Sequence, residues 1–92
     1  MRRLPDTELE VMKALWASGP DTPRAALDQA LAAFQWSPNT INTYLTRLME
    51  KGFVSVRREG KSNRYTPRIS REDYLAFDSR MVLSRLYGSS PR

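Results

Sequence analysis

The chain has 92 residues and contains neither cysteine nor histidine. Without cysteine there are no disulfides and no thiolate metal sites. Without histidine there is no imidazole ligand or base, and the two absences together remove the Cys/His and Ser/His nucleophile arrangements. No apolar run approaches the ~18 residues that suggest a membrane span, so no membrane partner is expected. Only four glycines are present, none grouped into a loop that cradles phosphate. The ten carboxylates are scattered over helix starts and turns, where capping accounts for most of them. No catalytic residue, metal site or cofactor is expected, and the chain reads as a non-enzyme. A mass of 10.6 kDa leaves room for one small domain, whose apolar residues are spent on a single core and not on a ligand pocket, so no small-molecule ligand is expected. The opening Met1-Arg2-Arg3 leads into Leu4-Pro5-Asp6-Thr7-Glu8, unlike a secretory signal, and a cytoplasmic location is the default expectation.

What the chain does have is positive charge, +5 in total. Residues 1–36 carry four basic and five acidic side chains (4 − 5 = −1), residues 37–69 seven and two (7 − 2 = +5), and residues 70–92 four and three (4 − 3 = +1). The excess therefore lies in the middle third. Concentrated basic charge suits a surface that meets phosphates, although an acidic protein, an anionic membrane or plain solvent is served by the same pattern.

Four helix-start signals follow one another along the sequence. Thr7 with Glu10 has the spacing of a capping box, so a first helix is expected from about residue 7, with Leu9, Met12, Leu15 and Trp16 on its apolar face and Gly19-Pro20 at its end. Thr22-Pro23 reads as a capping hydroxyl followed by proline at the first helical position, opening a second helix to about Phe34 with Ala26, Leu27, Ala30, Leu31 and Phe34 along its stripe. Ser37-Pro38 repeats the signal for a third helix ending at Gly52. After it the apolar period changes to two, predicting a strand over 53–57, a basic turn over 58–63 and a second strand over 64–69 that ends or lies at the sheet edge because of Pro67. Ser70 with Asp73 starts a last helix, expected to run to Gly88 before a loose tail.

The third helix is unusual. Ile41, Leu45, Leu48 and Met49 mark its buried face, with Tyr44 at the margin, while the other face carries Asn39, Thr40, Asn42, Thr43, Thr46 and Arg47. Solvated helix faces are normally built from Glu, Lys and Gln. Asn and Thr are poorer helix formers that compete with the backbone for hydrogen bonds, so helix stability does not explain them.

Three helices followed by a basic hairpin is the order of a winged helix-turn-helix, a mainly α fold with a small two- or three-stranded antiparallel hairpin (α+β). In that architecture the third helix enters the major groove and the hairpin, the wing, reaches a neighbouring backbone. Asn pairs bidentately with adenine, and Thr offers a hydroxyl together with a methyl for thymine. Asn39, Asn42 and Thr43 are the candidates for base edges; Ser37, Thr40 and Thr46 for phosphates; Arg47, Arg58, Lys61 and Arg64 for charge. The local alternatives are a capping role for Thr40, an ion pair from Arg47 to Glu50 or Glu8, and simple strand exposure for Arg57 and Arg68. Trp16 and Trp36 read as packing residues, since neither is interleaved with basic residues like the stacking platform of a single-strand binder.

The stretches Leu9-Glu10-Val11-Met12-Lys13-Ala14-Leu15-Trp16, Glu50-Lys51-Gly52-Phe53-Val54 and Arg64-Tyr65-Thr66-Pro67, with the in-register series Trp36-Ser37-Pro38-x-Thr40-Ile41-x-Thr43-x-Leu45-x-Arg47-Leu48-x-x-Lys51-Gly52, resemble the BlaI/MecI penicillinase-repressor family over roughly residues 4–87. The resemblance implies a dimeric, sequence-specific transcriptional repressor on dyad operators, with double-stranded DNA as partner. In several members of that family a membrane sensor triggers cleavage in the C-terminal dimerisation region, and copper-responsive relatives carry a C-terminal cysteine motif. Here only the first helix of the dimerisation region, about 70–87, is present and cysteine is absent, so neither mode of induction carries over. The chain reads as a fragment of a longer repressor or as a short form.

The expected division is a winged-helix DNA-binding domain over 1–69 and, over 70–92, a partial dimerisation helix with its tail. Tyr74, Phe77 and Met81 form one apolar line on that helix, and Leu75, Val82 and Leu86 a second. A monomer of this size hides one line only, so Leu75, Val82 and Leu86 are assigned to homodimer contacts. The rival reading is a winged-helix protein-interaction module, which needs an apolar patch where this sequence has the Asn/Thr series. An RNA-binding winged helix needs exposed aromatics beside that face, where only Tyr44 stands.

Overall fold

The computed structural model describes residues 3–77. Helix α1 spans Asp6–Ser18, strand β1 Thr22–Pro23, helix α2 Arg24–Ala30, a single 3₁₀ turn Ala32–Phe34, helix α3 Pro38–Glu50, strand β2 Val54–Glu59 and strand β3 Ser62–Pro67. A fourth helix, α4, occupies 71–77 at the end of the described chain. The strands form one antiparallel sheet in the order β1-β3-β2. Among the described residues no helix is long and apolar enough to cross a membrane.

Packing of α1, α2 and α3 over the sheet buries Val11, Met12 and Leu15 from α1, Leu27 and Leu31 from the α2 region and Ile41, Leu45 and Leu48 from α3, closed by Phe53, Val54 and Tyr65. Each fully buried Leu or Met is worth about 1.5–3 kcal/mol relative to exposure. Spacing of three and four residues on α3 brings its apolar set to one face, leaving Asn39, Asn42, Thr43, Thr46 and Arg47 exposed on the other.

The start of α4 belongs to this core. Tyr74 is 1% exposed and its hydroxyl accepts a hydrogen bond from the Leu4 backbone N–H at 2.9 Å. Trp16 donates its indole N–H to the Ile69 carbonyl at 2.9 Å. The first of these bonds is buried and the second partly buried, and together they tie the chain after the hairpin to α1 and the residues just before it. The Ser70 hydroxyl caps α4 by accepting from the Asp73 N–H, as its spacing predicts. Leu75 is 44% exposed, while Met81, Val82, Leu86 and the expected continuation to Gly88 lie outside the described residues.

Five local expectations give way to other solutions. Thr7 does not cap α1: Pro5 holds the N-cap position without any side-chain bond and the helix starts at Asp6, while Glu10 pairs with Lys13. Thr22 does not cap α2 either. Its hydroxyl donates to the Gly19 carbonyl, and Thr22 and Pro23 pair with Tyr65 and Arg64 as a third strand. The second helix stops at Ala30, and a 3₁₀ turn carries the chain to Phe34. Pairing in the hairpin runs on to Glu59↔Ser62, so Gly60-Lys61 alone forms the loop. Gly60 has φ 60°, suited to the first position of a type II′ turn, and this explains how a basic tip stays so short. Finally, β3 is the central strand. Pro67 is tolerated because β1 pairs only with Arg64 and Tyr65, leaving Pro67 opposite Val54 on one side alone.

Candidate nucleic-acid interface

Helix α3 starts as its sequence predicts. Ser37 is extended (φ −69°, ψ 157°), its hydroxyl accepts from the Thr40 N–H, and Pro38 takes the first helical position. The Ser37 and Thr40 hydroxyls also lie 2.9 Å apart, so both side chains serve the cap locally. Thr43 donates its hydroxyl to the Asn39 carbonyl at 3.0 Å, which fixes its rotamer. The helix ends at Lys51, followed by Gly52 at φ 82°, a left-handed exit that suits glycine.

Two interactions brace α3 at opposite ends. At the C-terminal end Lys51 meets Glu8 of α1, Nζ to Oε1 at 2.6 Å, with the Glu8 side chain 2% exposed and that of Lys51 17%. At the N-terminal half Arg24, the first residue of α2, donates from Nη1 to the Asn42 side-chain oxygen, from Nη2 to the Pro38 carbonyl at 3.0 Å and from Nε to Asp28 at 2.8 Å. Burial, the largest single influence on Arg24, lowers its pKa, but the hydrogen bond and charge of Asp28 help to outweigh it and hold the guanidinium above its ordinary value.

In the hairpin Arg57 and Arg64 face each other across β2 and β3, a like-charge pair that is unfavourable by itself. Asp21 and Glu59 neutralise it. Arg57 grips both oxygens of Asp21, at 3.3 and 3.0 Å, and reaches Glu59 at 3.2 Å. Arg64 donates to the other oxygen of Glu59 at 2.6 Å and to the Asp21 carbonyl at 3.1 Å. The hydrogen bonds from Arg57 first, then Arg64, hold the Glu59 carboxyl below its usual range, and those from Asp21 and Glu59 raise the Arg57 pKa. Asp21 itself has φ 55°, a left-handed conformation that Asp tolerates better than most residues.

Internal pairing therefore thins the charge counted in the sequence. Of the seven cations in residues 37–69, Lys51, Arg57 and Arg64 are in ion pairs, and 7 − 3 = 4 remain: Arg47, Arg58, Lys61 and Arg68. Arg58 donates only to the neutral Gly60 carbonyl. Arg47, Arg58, Lys61 and Arg68 are all exposed. Arg64, a candidate for DNA charge, and Asn42, a candidate for base contact, are thus engaged within the protein, whereas Asn39 and Thr46 stand exposed on α3.

One feature of the α3 approach was not visible in the sequence. Phe34 stacks on Trp36 at 4.4 Å, and Trp36 meets Tyr44 edge-on at 5.1 Å. These rings lie on either side of the Ser37 cap in sequence, and Phe34 is 42% exposed. The stacking shows Trp36 as a packing residue of the α2–α3 connection. No group of three or more acidic, His or Cys side chains among the described residues is placed to hold a metal ion.

Comparison with known proteins bears on the same segments. The penicillinase repressor family model matches residues 4–92. The chain belongs to the penicillinase repressor family. It is 36% identical over 93 aligned positions to the penicillinase repressor of Bacillus licheniformis, covering 98% of this chain and 73% of that protein. It is 28% identical to the methicillin resistance regulatory protein MecI of Staphylococcus aureus strain N315, covering 87% of this chain and 65% of that protein. Two solved structures share the fold. The solution structure of the DNA-binding domain of the repressor BlaI superposes with TM-score 0.67 at 37% identity, over 80% of this chain and 94% of that one. The solution structure of the Bacillus licheniformis BlaI monomeric form in complex with the blaP half-operator gives TM-score 0.63 at 39% identity, over 79% and 89%. The fold of this family member is accordingly a winged helix.

Proposed function

We propose that the protein is a sequence-specific double-stranded DNA-binding transcriptional repressor that works in the cytoplasm, with α3 in the major groove and the β2–β3 wing on the backbone. The observation that carries this reading is the solvent face of α3: exposed Asn39, Asn42, Thr43 and Thr46 beside the free cation Arg47, with Arg58 and Lys61 projecting charge from the hairpin. Such a face is chemically matched to base edges and phosphates and offers no apolar patch to a protein partner. Its likeness to a BlaI form described in complex with a half-operator supports the same assignment. Asn39, Asn42 and Thr43 address bases; Ser37, Thr40 and Thr46 address phosphates; Arg47, Arg58 and Lys61 supply charge, and Arg64 does so by exchanging Glu59 for a phosphate. The carboxylates of Glu8, Glu10, Asp21, Asp28 and Glu59 are held in ion pairs.

Residues 1–69, with Tyr74 of α4 closing their core, form the DNA-reading unit, and 70–92 begin the segment through which two copies associate on a dyad operator, using Leu75, Val82 and Leu86. A strict monomer by analytical ultracentrifugation at high micromolar concentration would remove self-association through this segment.

Fluorescence anisotropy with duplex DNA across a salt series, in the presence of an acidic polyanion that is not DNA, tests the reading. Steep loss of affinity with salt, and resistance to the polyanion for some sequences only, are the expected results. Asn42→Ala is expected to weaken binding to a selected site by about 1–3 kcal/mol while barely changing non-specific binding. Weak binding abolished by the polyanion would leave a basic surface without sequence reading.

A further inference from the structure

The Arg24 guanidinium reaches three acceptors on two helices: Asp28 on α2, the Pro38 carbonyl in the first turn of α3, and the side-chain oxygen of Asn42. A guanidinium has donors only, so the atom of the Asn42 amide that faces it is the carbonyl oxygen and not the nitrogen; the chemistry alone sets the orientation. The amide NH₂, on the other branch of the planar group, is left as the free end of an exposed side chain.

We infer that Arg24 is a specificity-determining positioning residue: by holding the Asn42 carbonyl oxygen toward α2 it makes Asn42 present donors, and so selects an acceptor edge, guanine O6/N7 or thymine O4, in place of adenine. This rests on the proposed placement of α3 in the major groove. Asparagine reads adenine by using oxygen and nitrogen together, the oxygen accepting from N6–H and the nitrogen donating to N7. Here Arg24 takes one lone pair of the oxygen and fixes the orientation of the amide, so the two-point adenine pair forms only if N6–H reaches the second lone pair beside the guanidinium or the Arg24–Asn42 bond breaks. Guanine presents two acceptors, N7 and O6, and thymine presents O4, so both need only the NH₂, whereas adenine offers N7 alone beside its N6–H donors. Asp28 acts one step further back. It fixes Nε of Arg24 in an ion pair with 46% of its own side chain exposed, so its loss loosens the guanidinium without removing it.

Selection from a pool of random-sequence duplexes, with the wild type and with Asn42→Ala, Arg24→Met and Asp28→Ala, is the test. The base position that Asn42 reads is the one whose preference disappears in Asn42→Ala. At that position the wild type is expected to favour guanine or thymine over adenine by about 5-fold or more. Arg24→Met frees the amide to turn and shifts the preference to adenine, and Asp28→Ala shifts it the same way but less. Circular dichroism and thermal melting of each variant show that it is folded, and a purely structural role for Arg24 would lower affinity for all duplexes equally. A wild-type preference for adenine at the Asn42 position overturns the inference, as does a preference unchanged in both Arg24→Met and Asp28→Ala, and either outcome leaves the DNA-reading proposal standing. Failure of the wild type to enrich any duplex removes that proposal and this inference with it.

Discussion

Two of the ion-paired groups among the described residues, one under α3 and one on the hairpin, differ in nearly everything except chemistry. Glu8–Lys51 is a single pair with its carboxylate sealed from water, 2% exposed, joining α1 to the end of α3. The Asp21–Arg57–Glu59–Arg64 group spreads over the hairpin with the Asp21, Glu59 and Arg57 side chains each 52% exposed. Water screens the second group and not the first, so the same contacts have different consequences. Glu8–Lys51 ties the end of α3 to α1 alongside the core contacts of Ile41, Leu45 and Leu48. The hairpin group governs how much positive charge the wing shows.

The most severe way to break this contrast is at Lys51. Lys51→Met leaves Glu8 charged, buried and without its cation, and is expected to cost about 3 kcal/mol or more of folding stability, read by denaturant unfolding. Glu8→Gln is expected to cost less, because the Lys51 side chain is more exposed than that of Glu8 and its head group can turn to water. Equal losses for the two variants would show that the pair does not act through the burial of the carboxylate.

Glu8 also illustrates where sequence reasoning stops. Its place in the first turn of a helix suits the positive helix end, and that local account gives no hint that the side chain is buried. Elements specified within a few residues were legible: the Ser37-Pro38 start of α3, its apolar face, the Gly52 exit, the Ser70 cap and the hairpin. Elements specified by contacts across the chain were not. Thr22-Pro23 has the local chemistry of a helix start, but the exposed edge of β3 opposite Tyr65 and Arg64 recruits it into a sheet. Among the site residues, the composition of the α3 face was readable because it departs from what helix stability favours. The engagement of Asn42 by Arg24, 18 positions away, and of Arg64 by Glu59 and Asp21 depends on tertiary placement, so counting cations in residues 37–69 overstates the charge the surface offers.

Smaller effects should come from the hairpin, and in opposite directions. Glu59→Gln removes the carboxylate shared by Arg57 and Arg64, exposing one further net positive charge on the wing. DNA binding is expected to strengthen and the slope of log K against log salt to steepen by about 0.9. Lys61→Ala removes a cation at the tip that has no counter-charge to release, so binding should weaken alike for all sequences and the slope flatten by about the same amount. Anisotropy titrations at several salt concentrations measure both. If Glu59→Gln left the slope unchanged, the positive charge it exposes would lie away from the phosphates, and the hairpin group would not set the charge that the wing offers to DNA.

The smallest effect expected is a response to acid, and its sign follows from Glu59. Its carboxyl is held below the usual range by Arg57 and Arg64, so it adds stability above the pKa of the unfolded chain and loses it as pH falls through the lowered folded value. Exposure screens that contribution, so the change in unfolding midpoint assigned to Glu59, taken as the difference between wild type and Glu59→Gln, should be slight and confined to acid pH. The same protonation removes one negative charge from the hairpin and frees Arg64 of its ion pair while Arg57 keeps Asp21, so DNA affinity should rise as stability declines, and only on the acid side of the ordinary carboxylate range. In Glu59→Gln that component of the acid rise in affinity should be absent, with binding at neutral pH already high. An acid rise of equal size in both proteins would assign the effect to other carboxylates, Asp21 being the nearest, and would limit the part Glu59 plays in setting the charge of the wing.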